Sequence, residues 1–184
     1  QQRCSNYLEV MKLVNDYKIN KKINNKLEEE FVDLIPSLYI FYKNQLKSLG
    51  KTNFTEIKWK AISLLKEGKK SFTRDNREIL LEDLEFIFID EFQDFSSLYQ
   101  EIISNIIGFS NKIKVNAVGD DMQLINGFMG SELKFFNEFS ENFSDPIEMN
   151  LTENRRSAKK IIDFCNQIIL NNPQYLGENF AISR

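Results

Sequence analysis

The spacing of apolar residues predicts that the chain begins with helices. Over residues 5–20 and 27–49, apolar side chains recur at intervals of three and four, as they do along one face of a helix. Pro36 lies inside the second segment and predicts a kink or a break between two helices. This part of the chain therefore contains at least two predicted helices.

Start and stop signals extend the helical pattern. Asn53 followed by Glu56 is typical of a helix start, and a helix is predicted over 57–67. Gly50 and Gly68 stand where two predicted helices should stop, because glycine adopts the left-handed conformation without strain. The first eighty residues are accordingly expected to be all-helical.

Strands alternate with helices after residue 80. Short apolar runs predict three strands, at 84–89, 113–118 and 147–151. Helical spacing predicts three helices, over 96–107, 133–139 and 157–170. This alternation favours an α/β fold with a parallel sheet, in which the first strand is buried on both faces.

Composition narrows the function classes. With 184 residues, 42% of them hydrophobic, the chain can bury a core, as one domain or as one domain plus part of another. It contains no histidine, which excludes imidazole-dependent hydrolases and most zinc sites within these residues. With a net charge of −3, the chain has no overall positive field that would attract nucleic acid.

The cellular location expected from the sequence is the cytoplasm. Cys4 and Cys165 are far apart and unpatterned, which fits a reducing compartment. No apolar run approaches the roughly 20 residues that span a bilayer, and no signal peptide is apparent. No membrane partner is expected.

Two acids follow the first predicted strand directly. Asp90 and Glu91 stand at its carboxyl end, where open α/β sheets collect their ligands. In a phosphate-cleaving site, one acid would hold Mg²⁺ and its neighbour would orient or deprotonate the attacking water. The alternative is a solvated acidic turn.

A glutamine follows the second predicted strand in the same way. The segment after 113–118 contains Gly119, Asp120, Asp121 and Gln123. The Gln123 amide can donate to a terminal phosphate or to the attacking water and so report whether that phosphate is present. A glycine-containing turn with solvated acids is the alternative.

Two groups of residues later in the chain are candidates for contact with nucleic acid and with phosphate. Phe128, flanked by Gly127 and Gly130, can stack on an unpaired base or fill the core. Arg155 and Arg156 stand at a helix entrance, where they can clamp a phosphate from another domain or remain solvated.

In this order, these residues resemble the motifs of the UvrD/Rep-like superfamily 1 helicases, most closely the DNA helicase IV branch. The resemblance is weak before residue 50 and strong from 84 to 170. Three motifs carry it: Ile89-Asp90-Glu91-Phe92-Gln93-Asp94, then Val118-Gly119-Asp120-Asp121 with Gln123, Ile125, Phe128 and Gly130, and finally Asn154 with Arg156 and Ser157.

The resemblance implies a fold as well. It implies a partial RecA-like P-loop NTPase motor domain, a parallel sheet with flanking helices, preceded by a helical insertion segment. Residues 1–50 would form the insertion, 51–150 the first motor domain, and 151–184 the start of the second.

The same resemblance assigns roles toward ATP and Mg²⁺. Asp90 would bind the metal, Glu91 would be the catalytic base, and Gln123 would sense the γ-phosphate. Arg156 would contact that phosphate from the second motor domain. Arg155 stands where the family has a tyrosine that stacks on adenine, and a guanidinium can also lie on a base face.

On the DNA side, the resemblance assigns Phe128 to stacking on single-stranded DNA. Gln93 and Asp94 would couple the nucleotide state to the DNA. Asn126 stands where the family usually has tyrosine, and Met129 where it often has arginine. Asn126 is expected to contact DNA, although both replacements remove a stacking or cationic group.

The largest departure from the family is a missing loop. No Gly-x-x-x-x-Gly-Lys-Ser/Thr sequence is present to cradle phosphates. The chain also opens without a start methionine, so it is interpreted as a segment that begins inside the insertion and stops just into the second motor domain.

The expected function is that of a segment of an ATP-dependent DNA helicase that unwinds duplexes, 3′ to 5′ by family resemblance. Its partners would be single-stranded and duplex DNA and the remainder of the helicase chain. Two alternatives stay open: a non-catalytic helicase-like module that binds DNA or a protein, and an unrelated P-loop ATPase or structural α/β domain.

Overall fold

The computed structural model describes residues 7–143 except 22 and 24, residues 146–171, and residues 182–183. The described residues form two compact units. The first contains those up to Ile87 together with Ser96–Lys114, and the second contains Phe88–Phe95 and those from Val115 onward. The predicted domain boundaries at 50 and 150 stay a prediction.

Three helices open the first unit, α1 (Tyr7–Asn20), α2 (Lys26–Ser48) and α3 (Phe54–Lys66). The predicted helices are therefore present, apart from residues 5 and 6, which lie outside the described part. Pro36 is fully buried and α2 runs through it, so the predicted break between two helices is wrong, whereas the predicted kink stays a prediction. Burial of the ring offsets the hydrogen bond that proline cannot donate.

Glycine ends α2 and α3 as predicted. Gly50 has φ +61°, its N–H donates to Lys47 O at 3.1 Å, and Lys51 N–H donates to Leu46 O at 2.9 Å. This pair of bonds satisfies carbonyls that the last turn leaves open. Gly68 ends α3 with the same pair of bonds at φ +83°.

A hairpin follows where only helix was expected. Strands β1 (Ser71–Arg74) and β2 (Arg77–Leu80) pair antiparallel. Asp75 and Asn76 form the two-residue turn, both with positive φ, at 51° and 60°. The prediction of an all-helical first eighty residues is wrong here. Two consecutive left-handed residues match the twist of a hairpin, and Asp and Asn tolerate that conformation best after glycine.

The predicted strands on either side of the next helix are present, as β3 (Phe86–Ile89), α4 (Ser97–Ile107) and β4 (Lys114–Ala117). Lys114 N–H donates to Glu85 O at 2.8 Å, and Val118 N–H donates to Ile89 O at 2.9 Å. The bonds advance in step along both strands, as in a parallel pair.

Strand β3 is not buried on both faces, and that prediction is wrong. The Phe86 and Phe88 side chains are 51% and 78% exposed, whereas Ile87 and Ile89 are half-buried. Within the described residues β3 belongs to a two-stranded sheet with β4. Burial of both faces requires cover on both sides of a sheet, and in the structure the side with Phe86 and Phe88 is largely exposed.

The predicted helix over 133–139 appears as two short ones, α5 (Lys134–Asn137) and α6 (Phe139–Asn142), with Glu138 between them. The chain continues with β5 (Glu153–Asn154), the predicted amphipathic helix α7 (Lys159–Leu170) and β6 (Ile182–Ser183), which pairs parallel to β5.

The strand predicted at 147–151 is absent, and that prediction is wrong. Residues 146–152 form neither helix nor strand, and Ile147, Met149 and Leu151 are 79–89% exposed. Alternating apolar residues favour a strand only where a neighbour accepts its backbone hydrogen bonds. No described segment pairs with these residues.

A group of phenylalanine rings forms the core of the second unit. Phe92 and Phe95 are 3% and 4% exposed, and their ring centroids lie 4.6 Å apart. Phe92 meets the edge of Phe139 at 5.5 Å, and Phe95 meets the edge of Phe135 at 5.7 Å. These rings fix the turn that follows β3, which carries the candidate site.

Two further findings concern the sequence-based expectations. No helix in the described ranges is both long and apolar enough to cross a bilayer. Cys165 is an exposed free thiol, and Cys4 lies outside the described residues.

Candidate functional site

The end of β3 presents both candidate acids to solvent. Asp90 and Glu91 are exposed, and the Glu91 N–H donates to Asp90 Oδ1 at 3.0 Å. Glu91 adopts φ +51° and ψ +50°, a left-handed conformation that costs about 1–2 kcal/mol for a residue with a side chain. Strain of this kind at an exposed carboxylate favours a functional interpretation over a solvated turn.

A short 3-10 turn, Phe92–Asp94, follows Glu91 and lies against the end of β4. The Phe92 N–H donates to Val118 O at 2.9 Å, so the pairing of β3 and β4 continues past the strand ends. The Asp94 N–H donates to Glu91 O at 2.8 Å and closes the turn. The two motifs are thus held side by side by backbone bonds.

Gln93 links the two motifs through its side chain. It is only 4% exposed, its Nε2 donates to Glu91 Oε2 at 2.5 Å, and its Oε1 accepts from the Asp120 N–H at 3.0 Å. A buried amide that satisfies both its donor and its acceptor is held in one orientation. Gln93 therefore fixes the Glu91 carboxylate relative to the loop after β4.

Gly119 is required by this close approach. A Cβ atom there would lie 2.7 Å from Gln93 Oε1 and 2.9 Å from Phe92 N. Real side chains do not tolerate such contacts, so no residue with a side chain fits without displacement. The sequence suggested only a glycine-containing turn at this position.

Asp120 carries the connection on to Gln123. Asp120 Oδ1 accepts from the Met122 N–H at 3.1 Å, and Oδ2 accepts from Gln123 Nε2 at 2.7 Å. Glu91, Gln93, Asp120 and Gln123 thus form one hydrogen-bonded series. The sequence assigns no role to Asp120. The signal that could have found it is an acid directly before a short turn, where its carboxylate accepts from the backbone N–H two residues later.

The other side of the same turn holds the loop with Phe128. Asn126 Nδ2 donates to both carboxylate oxygens of Asp94, at 2.9 and 3.0 Å. Ser131 Oγ donates to Asp94 O at 3.1 Å. Phe128 itself is 87% exposed, which agrees with the interpretation that it lies outside the core. DNA contact by Phe128 or Asn126 stays a prediction.

The two arginines make local contacts. Arg155 donates through Nε and Nη2 to Glu153 Oε2, at 3.1 and 2.6 Å. Asn154 Oδ1 accepts from the N–H groups of Arg156 and Ser157, both at 2.9 Å, and so holds the turn before α7. The Arg156 side chain is exposed. Among the described contacts, neither guanidinium meets Asp90, Glu91 or Gln123.

The donor set fits part of a site for Mg²⁺ and ATP. No three His, Cys, Asp or Glu side chains converge as a metal site within the described ranges. A single carboxylate such as Asp90 is nevertheless a usual protein ligand for Mg²⁺, which takes its other ligands from phosphates and water. The cradle for those phosphates is not encoded in the printed sequence.

Comparison with curated proteins yields several helicases. The chain is 26% identical over 156 residues to the DNA helicase II of Haemophilus influenzae, covering 85% of the chain and 20% of that protein. It is 30% identical over 135 residues to the probable DNA helicase II homolog of Mycoplasma capricolum subsp. capricolum, covering 73% and 18%. The DNA helicase IV of Escherichia coli K12 is 26% identical over 145 residues, covering 79% and 20%.

These comparisons also show how much of each relative the chain covers. The chain spans about a fifth of the length of these relatives. Helicases II and IV match at similar identity, so the identities do not separate the two branches. The sequence also matches the family described as the UvrD/REP helicase N-terminal domain over residues 1–144. That match covers more than half of the chain, which therefore belongs to the UvrD/REP helicase N-terminal domain family.

Proposed function

We propose that this chain is a segment of an ATP-dependent DNA helicase and forms part of a RecA-like motor domain. One observation carries the proposal. Gln93 joins the Glu91 carboxylate to Asp120, and Asp120 holds Gln123, so the candidate base and the candidate phosphate sensor lie in one hydrogen-bonded series. The helicase names of the curated relatives support the assignment.

In this proposal, bound Mg-ATP supplies the phosphoanhydride bond whose hydrolysis drives the motor. Asp90 is the protein ligand of the metal. Glu91 takes the proton of the attacking water, because Gln93 occupies Oε2 and leaves Oε1 without a hydrogen bond among the described residues. The fixed orientation of Glu91 is what the reaction requires, since a base acts only within hydrogen-bond reach of its proton.

Gln123 and the two arginines complete the proposed nucleotide contacts. Gln123 Nε2 donates one of its two N–H groups to Asp120, so the other can donate to a terminal phosphate. A shift of Gln123 toward that phosphate would pass the state of the nucleotide to Asp120 and Gln93. Arg156 is exposed and can approach the same phosphate, and Arg155 can lie on the adenine if it leaves Glu153.

The proposed DNA contact is Phe128. Its ring is 87% exposed in a loop tied to the same turn as Glu91 and Gln93, so a base stacked on it would sense that turn. The rest of the proposal follows the family: a parallel motor sheet, the remainder of the helicase chain as partner and source of the phosphate loop, and movement 3′ to 5′ on DNA.

A second function has an observation in its favour. Asn126, where the family usually has tyrosine, donates its amide to Asp94 and offers no aromatic ring to a base. This replacement suits a non-catalytic module that binds DNA or a protein.

ATP hydrolysis by the intact protein that carries this chain, measured with and without single-stranded DNA, tests the proposal. Glu91→Gln keeps the size of the side chain but removes the base, so hydrolysis is expected to fall by about 10²- to 10⁴-fold with folding unchanged. Glu67→Gln, at an exposed glutamate after α3, is the matched control and should leave the rate unchanged. DNA binding without DNA-stimulated hydrolysis would instead support the non-catalytic module.

A further inference from the structure

The loop that carries Phe128 is tied at both ends to one residue. At its start, Asn126 Nδ2 donates to the two carboxylate oxygens of Asp94, at 2.9 and 3.0 Å. At its end, Ser131 Oγ donates to the main-chain oxygen of Asp94 at 3.1 Å. One more backbone bond, from Glu132 N–H to Phe95 O at 3.1 Å, continues the attachment.

Between these two ties, the described residues give the loop few other contacts. Among them, a Cβ atom on Gly127 would meet Leu124 Cδ2 at 3.8 Å, and the Phe128 ring is 87% exposed. Gly130 reverses the chain with φ +96°. The position of the ring is therefore set by the bonds to Asp94 and not by packing around the ring.

Asp94 belongs to the turn that also holds Glu91 and Gln93. The bond from Asp94 N–H to Glu91 O at 2.8 Å closes the turn. The buried rings of Phe92 and Phe95 hold the turn against the aromatic core. A displacement of Glu91 or Gln93 is thus transmitted to Asp94 through one short turn, and from Asp94 to the loop.

We infer that Asn126 is a positioning residue, which with Asp94 holds the Phe128 loop on the turn 92–95. Its amide nitrogen donates to a carboxylate, and hydrogen bonds to a charged group are stronger than neutral ones. The meaning of this tie for DNA rests on the proposed function, but the tie itself does not.

Two measurements distinguish the attachment of the loop to Asp94 from the effect of that attachment on DNA binding. Hydrogen exchange of two amides reports on the loop. The Ile125 amide, directly before the loop, donates to Gln123 O at 2.8 Å, and the Gly130 amide, inside it, donates to Gly127 O at 3.0 Å. Affinity for a fluorescent oligothymidylate reports on DNA binding. Both are measured on the intact protein in the absence of nucleotide, so that hydrolysis plays no part.

The variants are Asn126→Ala, Asn126→Asp, and the exchange Asp94→Asn with Asn126→Asp. Asn126→Ala should speed exchange of the two amides and weaken oligothymidylate binding, each by about three- to tenfold, because the fraction of loops held in place falls. Asn126→Asp should do more, since it sets two carboxylates face to face. The exchange variant restores one amide and one carboxylate, and both readouts should return to within about twofold of the original.

Controls assign each outcome. Asn171→Ala removes an amide that, within the described residues, donates to the Gln167 carbonyl, and it should change neither readout. Phe128→Ala should weaken DNA binding.

Unchanged amide exchange in both single variants would overturn the attachment of the loop to Asp94, whether or not the protein binds DNA. Faster exchange with unchanged DNA affinity, while Phe128→Ala weakens it, would overturn the positioning role. Failure of the unaltered protein to bind oligothymidylate would overturn the proposed function, and the amide exchange would still decide the tie.

Discussion

Replacing Gly119 by alanine should damage the fold and the candidate site together. The added Cβ would lie 2.7 Å from Gln93 Oε1, 2.9 Å from Phe92 N and 3.1 Å from Gln93 N. Two of these atoms belong to the backbone, and the Phe92 N–H is bound to Val118 O. The third belongs to a buried amide with partners on both sides. Movement of Phe92 N or of Gln93 Oε1 would break a hydrogen bond.

The size of the effect follows from those constraints. Overpacking of a well-packed site costs about 1–3 kcal/mol, and a buried amide that loses a partner costs about 1–3 kcal/mol. Because movement of Gln93 relieves part of the overpacking, we expect a total loss of roughly 2–4 kcal/mol in the free energy of unfolding. Release of Glu91 from Gln93 should lower ATP hydrolysis as well, if the proposed function holds.

Urea unfolding of the intact protein measures the loss, with Gly127→Ala as the matched control. A Cβ at Gly127 would meet only Leu124 Cδ2 at 3.8 Å, an ordinary van der Waals distance, so its effect should stay within about 0.5 kcal/mol. If Gly119→Ala and Gly127→Ala unfold at the same urea concentration, the close approach of Gln93 does not constrain the chain and the reasoning fails.

Three other outcomes are expected. Phe128→Ala should leave the unfolding midpoint unchanged and weaken single-stranded DNA binding by about 1–3 kcal/mol, as judged by fluorescence anisotropy; a destabilised protein with normal binding would assign the ring to the core. Leu98→Ala should cost about 2–5 kcal/mol of stability in chemical denaturation, because this side chain of α4 is 2% exposed, whereas truncation of the exposed Leu8 should cost far less. The 184-residue chain by itself should show no DNA-stimulated ATP hydrolysis in a steady-state assay, because its sequence lacks the loop that cradles phosphates, and measurable turnover would disprove this.

The elements that could be predicted from the sequence are those whose signals are local. Asn53 accepts from Glu56 N–H at 2.8 Å, as a helix start should, and Gly50 adopts the conformation that its position after α2 demanded. Each of these depends on a few neighbouring residues. The turn at Asp75 and Asn76 is equally local, but it was missed because the flanking segments are polar and lack the alternation that marks a strand.

Elements that need a distant partner were harder to predict. The residues around Met149 have the apolar alternation of a strand, yet no described segment accepts their hydrogen bonds. The exposure of Phe88 could not be predicted either. An apolar run indicates which side chains a strand can bury, but not which other segments cover them.

In the candidate site, too, the residues of the motifs could be predicted, whereas the bonds between distant residues could not. The motif resemblance located Glu91, Gln93 and Gln123, because the spacing of those residues is itself the signal. The bond between Gln93 and Asp120, and the bond between Asn126 and Asp94, could not be predicted, since they join residues that a whole helix and strand separate along the chain. The roles assigned by resemblance toward ATP and DNA stay predictions.

The buried rings of Phe92 and Phe95 have a consequence for how the protein responds to heat. They stand on either side of Gln93 and Asp94, so the turn cannot open while the rings remain packed. Many active-site loops melt locally, at temperatures where the rest of the protein is intact. Here the turn belongs to the same cooperative unit as the aromatic core. If the proposed function holds, heat inactivation should therefore coincide with loss of the core, and a variant with a more stable core should stay active to a correspondingly higher temperature.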